Sequence, residues 1–203
     1  MGLKIPGPSG HESSNLSPGI FEKGWKMRLK IRNLCLLIGA LVLVPVSVIQ
    51  AAGFQSYENR QVGLRLGYPA GWIKSESTPG VLVAFGAPKE KANLKLVENV
   101  TVVVQDLTPD VATLEKYTAM YDAQRKKDPS GVALVESKKT VLGGLPAQRI
   151  VCTAKQGGLD VKFMQVWTVR GKKAYLCTYG AAKKNYATFL KDAEGILRSL
   201  EFI

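Results

Sequence analysis

The chain is predicted to fold as an α+β protein, an α/β/α layered sandwich in which a central antiparallel sheet is flanked by helices on both faces. Three observations lead there. Several segments are near-continuously hydrophobic, as strands covered on both faces are. Short glycine-bearing turns separate the later ones, as in an antiparallel meander. Two amphipathic helical stripes interrupt and close the series. All of these lie between Gly53 and Ile203.

The opening strand is read from Val62, Leu64 and Leu66, which alternate with Gly63, Arg65 and Gly67 and are stopped by Tyr68-Pro69-Ala70-Gly71. Val81 to Phe85 and Val100 to Gln105 are apolar and partly β-branched, the composition of covered strands. Asp106-Leu107-Thr108-Pro109-Asp110 is a loop, with Pro109 ending the strand and Asp110 or Thr113 capping the next element. From Thr113 to Lys127 the period changes: Leu114, Tyr117 and Tyr121 share one helical stripe. Glu115 suits the first turn of that helix and Arg125-Lys126-Lys127 the last, and Asp128-Pro129 ends it.

Four more strands are predicted near residues 133–141, 147–154, 161–169 and 173–180. Gly143-Gly144-Leu145-Pro146, Gly157-Gly158 and Arg170-Gly171-Lys172 connect them too briefly for anything but antiparallel neighbours. The closing helix carries Tyr186, Phe189, Leu190, Ala193, Ile196, Leu197 and Leu200 on one stripe, with Lys191, Asp192, Glu194 and Arg198 outside it. That stripe is core.

Ahead of this domain lies an export layout. Arg28, Lys30 and Arg32 precede the sixteen-residue apolar run Leu34 to Ile49, and small Ala51 and Ala52 come after it. Pro45, Ser47 and the lack of a basic stop-transfer cluster favour a cleaved signal over residues 27–52. Bulky Ile49 or Gln50 at the minus-three position leaves an uncleaved N-terminal anchor open. Residues 1–26 are rich in Gly, Pro and Ser, and read as disordered or as preceding a true start at Met27. Residues 53–203 are therefore expected to work outside the cytoplasm, in the periplasm, as a secreted protein, or in a thylakoid lumen if the host is photosynthetic.

That domain holds 22 basic and 14 acidic side chains, for a net charge of +8, and the chain's single histidine is His11. Lacking an imidazole, the domain cannot build the usual serine or cysteine hydrolase triad or a histidine-ligated metal site. Glycoside hydrolysis needs only two carboxylates. The acids Glu58, Glu76, Glu98, Asp106, Asp122, Asp160 and Asp192 are nevertheless scattered along the chain as solvated charges would be. No catalytic or metal-ligating residue is assigned, no EF-hand-like calcium loop occurs, and no cofactor-binding set is recognised. The expectation is a non-enzyme.

Basic clusters at Arg125-Lys126-Lys127, Lys138-Lys139, Lys172-Lys173 and Lys183-Lys184 admit attraction to an anionic membrane surface or envelope polymer. Nucleic acid is not expected as a partner, because the aromatic residues alternate into the core and do not interleave with the lysines. Cys152 and Cys177 would sit on strands separated by a third, with backbones roughly 9 to 10 Å apart where a disulfide needs about 7 Å or less. Both are expected to be buried free thiols.

Tyr68-Pro69-x-x-Trp72 after an opening strand, Gly144-Leu145-Pro146-Ala147 before another, and the ending Leu197-Arg198-Ser199-Leu200-Glu201-Phe202 resemble the PsbP-like family over nearly all of Gly53 to Ile203. The resemblance implies an antiparallel sheet with flanking helices and a non-catalytic accessory role through protein contacts. Its best-known members are extrinsic subunits on the lumenal side of photosystem II, tied to calcium and chloride retention. A calcium link would thus come only by family analogy. The histidines associated with metal in the plant members have no counterpart here, so no functional residue carries over.

Overall fold

The computed structural model describes residues 53–88, 98–127, 131–156 and 158–203. The export segment 27–52, residues 1–26, the stop at Asp128-Pro129 and Gly157 of the Gly157-Gly158 turn all lie outside the described residues.

Among the described residues ten strands form two antiparallel sheets. Strands β1 (Phe54–Asn59), β2 (Leu64–Pro69) and β10 (Glu201–Phe202) make a small sheet with β2 in the middle. The large sheet has the order β3-β4-β5-β9-β8-β7-β6. Its members are β3 (Ile73–Ser75), β4 (Val83–Gly86), β5 (Asn99–Asp106), β6 (Ala133–Leu142), β7 (Leu145–Gln156), β8 (Leu159–Arg170) and β9 (Lys173–Ala182). Helix α1 (Leu114–Lys126) comes after a single 3-10 turn at Pro109–Val111, and helix α2 (Leu190–Arg198) precedes β10.

Local chemistry accounts for the meander from β6 to β9. Gly143 and Gly144 have φ of 58° and 79°, the pair of positive angles that a two-residue type I′ hairpin demands and that side chains resist. The turn fixes the register, so that Leu142 faces Leu145, Thr140 faces Ala147 and Lys138 faces Arg149. Thr113 caps α1, its Oγ1 accepting from the Lys116 N–H at 3.3 Å.

Both faces of the large sheet are covered, as their hydrophobicity predicts, but the cover differs from the predicted helix-flanked sandwich. One face packs on α1, where Trp167 is fully buried, stacks on Tyr121 at 4.6 Å and donates its indole N–H to Thr118 Oγ1 at 2.9 Å. The other face is covered chiefly by the small sheet, through Tyr57, Leu64, Leu66 and Tyr68, with α2 alongside burying Ala193, Ile196 and Leu197. Strand makes up 53% of the described residues, with two α-helices among them, so the molecule is a β-rich sheet-on-sheet fold and not an α/β/α sandwich. The physical reason lies in strands with weak signals. β1 buries one side chain of six, Tyr57, leaving no alternation to read, and β10 has only two residues. Together with β2 they occupy the layer where a helix is expected from the sequence.

The strand order keeps Cys152 and Cys177 apart. Cys152 pairs with Phe163 and Cys177 with Val166, so β8 lies between them. Their side chains also enter opposite faces of the sheet, and both are buried with no disulfide between them.

Candidate functional site

The acids singled out from the sequence do not converge. Glu58 accepts from Arg60 and Arg65 at 2.7 and 3.1 Å, Glu76 pairs with Lys74 at 2.7 Å, and Asp122 pairs with Arg125 at 3.4 Å. Asp106 pairs with Lys173 at 2.5 Å, while Glu98 is buried and accepts from Asn185 at 2.9 Å. Asp160 is exposed, and Asp192 sits in the first turn of α2, where a negative charge suits the helix dipole. Among the described residues no group of three or more His, Cys, Asp or Glu could hold a metal ion.

The basic clusters are dispersed as well. Lys172-Lys173 and Lys183-Lys184 flank β9, whose ten residues separate them by roughly 30 Å. Arg125 to Lys127 end α1, and Lys138-Lys139 lie in the middle of β6.

The fold does assemble an open cleft of about 250 Å³ between the β6-β7-β8 end of the large sheet and α2. Its floor is apolar, from Leu142, Met164, Val166 and Leu197. Its rim is charged, with Lys138 on β6, Arg149 on β7, and Glu194 and Arg198 on α2. Arg149 organises the rim. Its side chain is 14% exposed; Nη1 donates to Glu136 Oε1 at 2.5 Å, Nε points at Met164 Sδ at 3.1 Å, and Nη2 lies 3.7 Å from Glu194 Oε1. Glu136 Oε1 also accepts from Lys138 at 2.8 Å, and Glu194 Oε2 lies 3.7 Å from Arg198.

That wiring sets the electrostatics. The hydrogen bond from Lys138, with Arg149 adding to it, holds the Glu136 carboxyl below its usual range. Nearby Tyr186 is buried, and its hydroxyl has no hydrogen-bond partner among the described residues. Burial pushes it up to about 12; Arg149 opposes that rise, and Glu194 and Glu136 reinforce it, so the hydroxyl senses the same charged cluster. Lys162 Nζ caps the Tyr186 ring at 4.5 Å.

β6 is also the outer strand of the large sheet. It is ten residues long, with Leu134, Val135 and Val141 exposed and Val135 extruded by a register shift between Leu134 and Glu136. The opposite edge, β3, has three residues.

Sequence reading missed this site. The Gly143-Gly144 turn carries a usable signal, because counting back from a two-residue hairpin puts Lys138 opposite Arg149 and Glu136 two residues away on the same face. Glu194 and Arg198 have no such signal, since only tertiary packing sets α2 beside β6.

The two-sheet architecture with its closing helix is that of PsbP-type domains. The PsbP family profile matches residues 52–202, and the chain belongs to that family. Among solved structures, cyanobacterial PsbP (CyanoP) from Synechocystis is similar with a TM-score of 0.55 at 18% identity, covering 79% of this chain and 99% of that one. LpqN of Mycobacterium tuberculosis, described as involved in cell envelope biogenesis, gives a TM-score of 0.58 at 15% identity over 68% of this chain and 82% of its own. A Bacteroides thetaiotaomicron structure gives 0.51 at 15% identity over 76% of this chain, which spans about half (49%) of that protein. At these identities the likeness is one of fold. No curated protein is a significant match in sequence.

Proposed function

We propose that this chain is a non-catalytic accessory protein that acts beyond the cytoplasmic membrane by docking a protein partner along the β6–α2 cleft. The observation that carries the reading is the junction of an open, apolar-floored cleft with a ten-residue sheet edge that no strand among the described residues covers. A binding role suits Glu136 better than proton transfer, because Lys138 and Arg149 hold its carboxyl below its usual range. Export is supported by the Arg28 to Ala52 layout, and no helix among the described residues is long and apolar enough to cross a membrane. An envelope location is in keeping with the description of LpqN.

The test is a photo-cross-linking residue at Thr140, on the cleft wall, expressed in the native host and compared with one at Lys126, on the far helix. The reading predicts a discrete protein adduct, identified by mass spectrometry, from position 140 only. Equal labelling at both positions, or none at 140, rejects it.

A further inference from the structure

We propose that β6 binds its partner by strand addition, taking up an extended segment that carries adjacent acidic residues flanked by aliphatic ones. This deepens the docking role proposed above and rests on it.

The backbone argument comes from register. A two-residue hairpin closes on a hydrogen-bonded pair, here Leu142 with Leu145, and such pairs alternate along an antiparallel ladder. Thr140, Lys138 and Glu136 therefore direct their N–H and C=O groups toward β7. Ser137, Lys139 and Val141 direct theirs outward, where no strand lies among the described residues. Pro146, which has no N–H to give, falls opposite Val141, at a pair that needs none across this ladder. The run from Glu136 to Leu142 lies beyond the register shift and is regular, long enough to receive a short strand about 4.8 Å away.

Charge selects the occupant. Lys138 on one face and Lys139 on the other would each stand directly beside a residue of the added strand, and consecutive residues of that strand also alternate faces. Two adjacent acids would thus meet both lysines. The local excess is positive, with Lys138, Lys139, Arg149 and Arg198 against Glu136 and Glu194. A second copy is the wrong occupant: a twofold axis through the middle of the regular run Glu136–Leu142 would set Lys139 against Lys139, an arrangement that blunts self-pairing of edges. Aliphatic neighbours on the added strand would extend the apolar surface of Leu142 and exposed Val141, closing the cleft from its open side.

The test uses the full chain and a fluorescent, end-blocked peptide with a central Glu-Glu pair between alternating Val and Thr, read by anisotropy at low salt. Binding is expected. Lys138→Glu with Lys139→Glu should weaken it at least about tenfold, and a Lys-Lys version of the peptide should restore it to that double variant. Circular dichroism of the variant should be unchanged, since both lysines are exposed. Methylating every second peptide nitrogen should also abolish binding, because strand addition needs those N–H groups. Absence of binding by the Glu-Glu peptide overturns the proposal. So does binding indifferent to N-methylation, which would be charge attraction without a strand, or dimerisation of the chain that Lys138→Glu with Lys139→Glu strengthens. A cross-link from Thr140 without peptide binding would reject strand addition alone, whereas loss of both would reject the docking role as well.

Discussion

Lys138 and Arg149 stand directly opposite each other on neighbouring strands, and a single oxygen of Glu136 accepts from both, at 2.8 and 2.5 Å. Like charges in directly opposed positions disfavour a sheet. Here Glu136, diagonal to Arg149, compensates on the same face, and Glu194 from α2 reaches the other side of the guanidinium. The arrangement keeps two cations at the mouth of a cleft while leaving the sheet intact.

That wiring has a definite sign with pH. The folded-state carboxyl of Glu136 is depressed, so its ion pairs contribute fully above the unfolded value and are lost as pH falls through the lowered folded value. In an NMR titration, Glu136 should still be ionised at pH 4.5, and Arg149→Met should move its midpoint upward. A midpoint at or above the ordinary glutamate value would contradict the network.

The two turn glycines should differ in tolerance. Gly144→Ala meets open space and incurs only the left-handed backbone strain, about 1–2 kcal/mol. A Cβ at Gly143 would lie 2.6 Å from the Phe202 ring, so Gly143→Ala should cost about 1–3 kcal/mol more through displacement of β10. Chemical denaturation of the two variants checks the ranking, and equal stabilities would mean that Phe202 does not pack beneath the turn.

Cys152 and Cys177 should be silent toward thiol reagents in the native protein at pH 8. Both are buried, and burial pushes the Cys177 thiol up to about 12. Unfolding without reductant should release both. Recovery of no free thiol from residues 53–203 after unfolding would mean a disulfide between the two and a wrong β7-β8-β9 order.

The α1 face should be the more polar and more exacting of the two cores. Tyr121 donates to Gln165 Oε1 at 2.6 Å, and Gln165 in turn donates to Thr178 Oγ1 at 3.2 Å, all three side chains being buried. Tyr121→Phe strands the Gln165 carbonyl and should cost about 1–3 kcal/mol. Trp167→Ala removes the centre of the cluster and should cost about 3–5 kcal/mol. Urea midpoints at constant m-value measure both.

Where the chain's own pattern is strong, it foretells the structure. The stripe Leu114, Tyr117 and Tyr121 and the third strand between Cys152 and Cys177 appear in the fold as expected, whereas the turn expected over Gly143-Gly144-Leu145-Pro146 is shorter, Leu145 and Pro146 already belonging to β7. The layer over the other face of the sheet does not come from local pattern. β1 buries only Tyr57, and β10 is a two-residue strand that exists because Phe202 finds Leu64 across the molecule.

By itself, the amino-acid order determined the covered strands, the amphipathic helices and the basic, imidazole-poor chemistry of the domain, because periodicity and side-chain type are local properties. Tertiary structure alone decided that a second sheet covers one face, and that Glu194 and Arg198 join Lys138 and Arg149 around an apolar floor. Those residues are distant along the chain, and they meet only where burial of Ile196 and Leu197 seats α2 beside β2 and the large sheet.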